Sequence, residues 1–265
     1  MINKKIGVIG YGNMGGIIIY GAIQSGIIKP SDVYAFDVNP TALEKAKKDG
    51  VNIVESEVAV CEAADMVLLA VKPQFTPEVL EKVGAALDKK VILSIVAGIT
   101  VERLKKLIKG EPRILRIMPN TPAMVKEGAL VLCSDNDLEA DEKDAAEAIF
   151  KSIGLVEWLP ERLIDAVCGT SGGGPAWVAM FIEAMADGGV MEGLPRATAY
   201  RLVAQTVMGT AKMILETGKH PGVVKDEVTS PGGTTIKGCE ALEKGGFRAA
   251  VIECVRKATK RSREL

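Results

Sequence analysis

Histidine is almost missing from this 265-residue chain, His220 being the only one. A single imidazole cannot build a multi-histidine metal site, so no structural or catalytic metal is expected. Cysteine is sparse and scattered. Cys61, Cys133, Cys168, Cys239 and Cys254 are odd in number and form no C-x-x-C pair. That excludes a disulfide framework and fits reduced thiols in a cytoplasmic protein. An excess of one charge is lacking too, with 33 basic against 34 acidic residues. Without a basic stripe, nucleic acid is not expected as a partner. The one cationic run, from Arg256 to Arg263, reads as a solvated helix end. No apolar run approaches the roughly 20 residues of a membrane span, and glycines interrupt the one that begins at Lys5. No charged stretch leading into an apolar core and a small-residue cleavage site opens the chain, so neither a secretory leader nor a membrane partner is expected. Also absent are a G-x-S-x-G elbow, a P-loop lysine and H-E-x-x-H, and with them the chemistries those motifs carry.

What is present is 48% apolar and 25% charged sequence, enough for a substantial core. Short apolar runs over 5–9, 33–36, 51–54, 66–70, 91–94, 114–117, 129–133 and 156–158 read as strands. Between them, 13–25, 40–49, 77–87, 101–108 and 139–153 carry helical patterns. Strands separated by helices of this length imply βαβ units and a mostly parallel, doubly wound α/β sheet. Beyond Leu159 the texture changes to alanine-, glycine- and methionine-rich helices over 175–188, 195–217 and 247–262. The expected division is therefore a dinucleotide-binding Rossmann-type domain over 1–159 and an all-helical domain over 160–265. Several of the later helices, 176–186 most clearly, are apolar around most of their circumference. Such helices have to be covered, and a second copy of the chain is the expected cover, in a homodimer.

The loop Gly10-Tyr11-Gly12-Asn13-Met14-Gly15 follows the first strand and opens the first helix. In that context G-x-G-x-x-G is a dinucleotide fingerprint, not merely a glycine turn. Gly10 permits the tight turn, Gly12 lets the backbone approach a pyrophosphate, and Gly15 lets helix and strand pack closely. Asp37 ends the second strand, 22 residues after Gly15, where a carboxylate accepts hydrogen bonds from the adenosine ribose. It would repel a 2′-phosphate. No arginine follows closely, and Lys45 and Lys47 lie further along the next helix. NADPH or NADH is the expected cofactor, with a lean towards NADH.

Three more polar clusters end strands on the same edge: Ala70-Val71-Lys72-Pro73, 94–98 with Ala97, and Met118-Pro119-Asn120-Thr121-Pro122. Singly each is turn chemistry; together they favour a cleft. Lys72 is the only titratable candidate there. An alcohol substrate would need a general base, whereas a protonated imine is already electrophilic and relaxes that demand. In the helical half, Val228-Thr229-Ser230-Pro231-Gly232-Gly233-Thr234-Thr235 concentrates hydroxyls and amides ahead of a helix expected near Ile236. Such a nest suits a carboxylate, while Thr234 or Thr235 acting as a simple helix cap is the alternative.

The glycine loop, Ala70–Pro73, Met118–Pro122, Gly172-Gly173-Gly174-Pro175-Ala176, Asp187-Gly188-Gly189-Val190, Lys225–Ile236 and Gly245-Gly246-Phe247-Arg248 together resemble the pyrroline-5-carboxylate reductases, in order and along essentially the whole chain. The resemblance implies a Rossmann domain with a helical dimerisation domain, dimers joining into larger rings, a decamer of dimers among them. It implies reduction of a cyclic imine carboxylate to L-proline with NAD(P)H, at a site to which the partner subunit contributes. Carried over, Val228, Ser230, Gly232, Gly233 and Thr234 would bind the substrate and its carboxylate, and the Thr235 hydroxyl its ring nitrogen. Lys72, Pro73, Ala97 and Asn120 would line the nicotinamide side. Two positions depart from the family. Asp37-Val38-Asn39 stands where many members have a polar or Asn-Arg pair, and Glu57 aligns with an asparagine at the adenosine end. Both add negative charge near the ribose. A relative acting on another cyclic imine or a β-hydroxyacid, and a cofactor-binding sensor without turnover, are the competing readings.

Overall fold

The computed structural model describes residues 2–264. It divides into two compact units: one runs to Gly172 and takes in the chain from Ala258 onward, and the other is Gly173–Lys257.

In the first unit the strands are β1 (Ile6–Ile9), β2 (Val33–Phe36), β3 (Asn52–Ile53), β4 (Met66–Leu69), β5 (Val91–Ser94), β6 (Arg113–Met118), β7 (Gly128–Cys133) and β8 (Gly154–Leu159). They form one sheet in the order β3-β2-β1-β4-β5-β6-β7-β8. Every residue of β1, β4 and β5 is buried, which is why these strands read as unbroken apolar runs rather than alternating ones. The connecting helices are α1 (Asn13–Gln24), α2 (Pro40–Lys48), α3 (Glu57–Ala63), α4 (Thr76–Val83), α5 (Val101–Leu107) and α6 (Ala140–Lys151). Ile18 and Ile19 of α1, Ala42 and Ala46 of α2, and Ile149 and Phe150 of α6 pack in one core with Ile6 and Val8. Val60 of α3, Leu80 of α4 and Leu104 of α5 build a second core with Ile9, Leu69 and Ile92. The helices thus change face after β3, and the switch point lies between β1 and β4.

All pairings are parallel except β6 with β7. The link from Met118 to Gly128 is too short for a crossover helix, so the chain must turn back on itself. It does so through a 3₁₀ turn at Thr121–Val125 and the left-handed Lys126. The expected helix over 77–87 breaks at Gly84, whose φ of +54° ends α4 and leaves a single 3₁₀ turn to Leu87.

Leu159, the expected division, is where the sheet ends. The compact unit continues because α7 (Ile164–Val167) packs against Val131 and Cys133. Arg116 also holds Glu161 in an ion pair at 3.0 Å. A π-helical turn, Cys168–Gly172, follows.

The second unit contains α8 (Gly174–Met191), α9 (Arg196–Thr217), α10 (Pro221–Glu227), α11 (Thr234–Lys244) and the start of α12 (Phe247–Arg263). α8 and α9 pack through Ala186, Ala199 and Val203. Little else is buried. Met180 is 67% exposed, Leu202 54% and Leu215 73%.

Candidate active site

The glycine loop is shaped by what would happen to a side chain there. Gly10 has φ +96°, and a Cβ on it would meet the Ala70 carbonyl at 2.6 Å. A Cβ on Gly15 would lie 2.1 Å from the Gly10 carbonyl and 3.0 Å from Ala70 Cβ. Helix α1 therefore starts directly against the ends of β1 and β4, and only glycine allows it. Gly12, the helix N-cap, faces open space with nothing within 4 Å of its Cβ position. No side chain caps α1, and no acidic residue sits in its first turn. Exposed Gly12 and Asn13 and half-buried Met14 thus surround free N–H donors at the positive end of a helix dipole. That arrangement fits a pyrophosphate.

Asp37 lies one residue past β2. Its Oδ2 accepts the Tyr11 N–H at 2.7 Å and its Oδ1 the Asn39 N–H at 2.8 Å. Each carboxylate oxygen keeps a further lone pair for a ribose hydroxyl. Asn39 spends its side chain capping α2 through the Thr41 N–H. Val38 is 84% exposed between them. The Lys45 ammonium lies 3.0 Å from where a Cβ on Gly16 would be, folded against α1. The turn from 37 to 39 thus offers a carboxylate and no cation of its own. Glu57 is the first residue of α3 and is buried, a carboxylate at the favourable end of that helix.

Because β1, β2, β4, β5 and β6 are parallel, Gly10, Asp37, Ala70–Pro73, Ala97 and Asn120 follow strands that end on one edge of the sheet. Ligands of such sheets bind there. Lys72 is exposed just ahead of a 3₁₀ turn at Pro73–Phe75, and its carbonyl accepts the Phe75 N–H at 3.0 Å. Ala97 is half-buried in the turn after β5. Asn120 is placed differently from a free lining residue. It is buried, its Oδ1 accepts the Ala129 N–H at 2.8 Å, and its Nδ2 donates to the Ser171 carbonyl at 3.1 Å. Both ends of its amide are thus engaged with backbone, tying the turn after β6 to β7 and to the π-helical turn.

Sequence reasoning passed over three features. Tyr11, inside the glycine loop, is fully buried and donates its hydroxyl to Asp49 at 3.0 Å. Burial first, and the Asp49 charge second, push its phenol well above the usual range. Arg116, an ionised residue within an apolar strand, was the available signal for the Glu161 pair; the Glu161 Oε1 also accepts the Val101 N–H at 2.9 Å. The π-helical turn at Cys168–Gly172 has no comparable signature in sequence. Cysteine nucleophiles are disfavoured at two positions, since burial pushes the Cys61 and Cys133 thiols up to about 12.

In the second unit, the loop from Val228 to Gly233 joins α10 to α11. Gly232 takes φ +69°, and the Gly233 N–H bonds the Ser230 carbonyl at 3.0 Å. Helix α11 begins at Thr234, two residues before the expected start near Ile236. Its N-cap is Gly233, with no side-chain cap. Thr234 and Thr235 are therefore not capping residues; they are the first two helical residues, both exposed. Uncapped amides and two hydroxyls coincide at the N-terminus of an 11-residue helix, a setting for a carboxylate.

A doubly wound sheet with this glycine loop at its switch point defines the class of dinucleotide-binding oxidoreductases. Residues 5–98 match a family described as NADP oxidoreductase, coenzyme F420-dependent, and residues 161–265 match one described as pyrroline-5-carboxylate reductase dimerisation. The chain is 44% identical to the pyrroline-5-carboxylate reductase of Escherichia coli K12, over 100% of this chain and 99% of that one. Among solved structures, the Plasmodium falciparum pyrroline carboxylate reductase with NADP bound is 32% identical, with a TM-score of 0.90 over 100% of this chain and 98% of that one. The Coxiella burnetii pyrroline-5-carboxylate reductase is 35% identical, with a TM-score of 0.91 over 98% of both. The chain belongs to the pyrroline-5-carboxylate reductase family.

Proposed function

We infer that this chain reduces 1-pyrroline-5-carboxylate to L-proline with NAD(P)H, the last step of proline biosynthesis. The observation that carries this reading is the full-length likeness to reductases of that name, at 44% identity, in a chain that keeps both the glycine cradle and the uncapped hydroxyl loop. The nicotinamide cofactor, when bound, supplies the hydride. The α1 amides of Asn13, Met14 and Gly15 hold the pyrophosphate, and Asp37 accepts from the adenosine ribose. Ala70, Val71, Lys72, Pro73 and Ala97 line the nicotinamide side, with Asn120 bracing its wall. Ser230, Gly232, Gly233 and Thr234 receive the substrate carboxylate, and the Thr235 hydroxyl bonds the ring nitrogen. A protonated C=N is already electrophilic, so positioning and electrostatics supply most of the rate.

The cofactor preference leans to NADH. A carboxylate beside the 2′ position repels a 2′-phosphate, Glu57 adds a second negative charge on α3, and the Asn39 side chain is engaged in capping α2. The working unit is a homodimer formed through the helical region, with rings of dimers such as a decamer built from it, and activity requires the assembled dimer. Five cysteines without a disulfide among them accord with a cytoplasmic location.

Oxidation of NADH and of NADPH, followed with pyrroline-5-carboxylate, tests the reading. Turnover with both and a higher kcat/KM for NADH is expected. Normal cofactor binding without consumption of either would establish a sensor instead, and a clear advantage for NADPH would remove the NADH preference.

A further inference from the structure

The tyrosine inside the glycine loop is held at three points. Its ring is fully buried, packed close enough to α1 that a Cβ on Gly16 would come within 3.3 Å of it. Its backbone N–H is the donor that fixes Asp37 Oδ2, at 2.7 Å. Its hydroxyl reaches Asp49 Oδ2 at 3.0 Å, 38 residues away at the C-terminal end of α2. A carboxylate at a helix C-terminus faces the negative end of the dipole, so Asp49 is poorly placed on its own helix and needs a donor from elsewhere. Tyr11 is that donor. The glycine loop, the end of β2 and the far end of α2 are in this way tied into one piece, and the carboxylate facing the ribose is part of it.

We propose that Tyr11, anchored by Asp49, is a positioning residue for cofactor selection: it sets the carboxylate of Asp37 for the adenosine ribose and so helps decide between NADH and NADPH. The proposal rests on the ribose role assigned to Asp37. It concerns the diol-bearing cofactor specifically. A 2′-phosphate has no favourable bond to make with Asp37, so loosening that carboxylate costs NADPH little.

Kinetics of the full-length enzyme with each cofactor test it, using Tyr11→Phe, Asp49→Ala and Asp49→Asn. Tyr11→Phe keeps the buried ring and removes only the hydroxyl. Asp49→Ala removes the acceptor from a half-buried site outside the loop, so it tests the same bond with the glycine loop unaltered. The expected result for both is a KM for NADH raised about three- to tenfold, the scale of one lost hydrogen bond, with kcat and the KM for NADPH unmoved. Asp49→Asn keeps an acceptor oxygen and should restore the parent value. In an Asp37→Ala background, Tyr11→Phe should leave the NADH:NADPH ratio where Asp37→Ala put it. An equal rise in KM for both cofactors, or no rise in either, would overturn the positioning role while leaving Asp37 in place. If Asp37→Ala itself leaves the ratio unchanged, the ribose reading fails, and this proposal with it.

Discussion

The two compact units solve the problem of covering apolar surface in opposite ways. In the first, helices pack on both faces of a sheet whose central strands are wholly buried, and the two cores are closed by the chain itself. In the second, Ala186, Ala199 and Val203 are the buried centre, while Met180, Leu202, Met208, Leu215, Val251 and Ile252 remain exposed. At about 25 cal/mol per Å² of apolar surface, helices this bare cannot be stabilised by their own contacts. One unit is finished by a single chain; the other is finished by assembly. This contrast also separates the roles proposed for them, because the cofactor cradle is built of rigid strand ends and the hydroxyl loop of exposed helix ends.

The largest expected effect would break the contrast on the helical side. Leu202→Asp should abolish dimerisation and with it activity, while cofactor binding to the first unit persists; sedimentation beside an activity assay and an NADH titration checks this. An active monomeric variant would mean that the helical region is complete without a partner. On the other side, Gly15→Ala forces a methyl to 2.1 Å from the Gly10 carbonyl. It should lower kcat/KM about a hundredfold, through the cofactor, by displacing helix from strand at a cost of about 1–3 kcal/mol. Unaltered NADH affinity would contradict the close-packing role of that glycine.

A smaller effect tests how self-sufficient the first unit is. Glu142 sits in the capping box of α6 and pairs with Arg113 at 2.5 Å. Burial alone would raise its carboxyl pKa, but the Arg113 bond and the Glu139 N–H outweigh it and hold it below the usual range. A carboxyl depressed in the folded state contributes stability that is present above the ordinary carboxylate pKa and lost as pH falls through the folded value. Glu142→Gln should therefore cost about 2–3 kcal/mol near neutrality, the low side of a broken buried pair because Arg113 is partly solvated, and should flatten the loss of stability on acidification. Guanidinium midpoints across pH measure both; an unchanged acid slope would remove Glu142 from the linkage. Smallest of all, Thr235→Val should lower kcat/KM for the imine about tenfold, or about 1.4 kcal/mol, with the KM for NADH unaltered. Unchanged catalysis in that variant takes the hydroxyl out of the mechanism.

Much of this was legible in the chain because the signals are local. Strand 33–36 matches β2 residue for residue, since a short apolar run between turn residues has few other options. The helical span ending at Thr217 likewise stops where Gly218 takes a left-handed cap. Gly10 and Gly15 were readable as glycines that nothing could replace. What residue type and spacing leave open is which polar groups the fold already occupies. For the threonines at 234 and 235 a carboxylate nest and a simple helix cap are both open, and it is Gly233 that takes the cap position. Asn120 is expected on the nicotinamide side, and only the fold shows that both ends of its amide are bonded to backbone, at Ala129 and Ser171.

By itself, then, the sequence determined the alternation of strands and helices, the fingerprint loop, the acidic residue that follows it, and the passage to bare apolar helices. Each of these is written in residue type and spacing over a few positions. Only the tertiary structure decided which polar groups are already spent and which remain free. It decided that Tyr11 reaches across to Asp49, that Arg116 is balanced by Glu161, and that the first compact unit runs on to Gly172. Those outcomes depend on hydrogen-bond partners tens of residues apart, which only the folded chain brings within about 3 Å of one another.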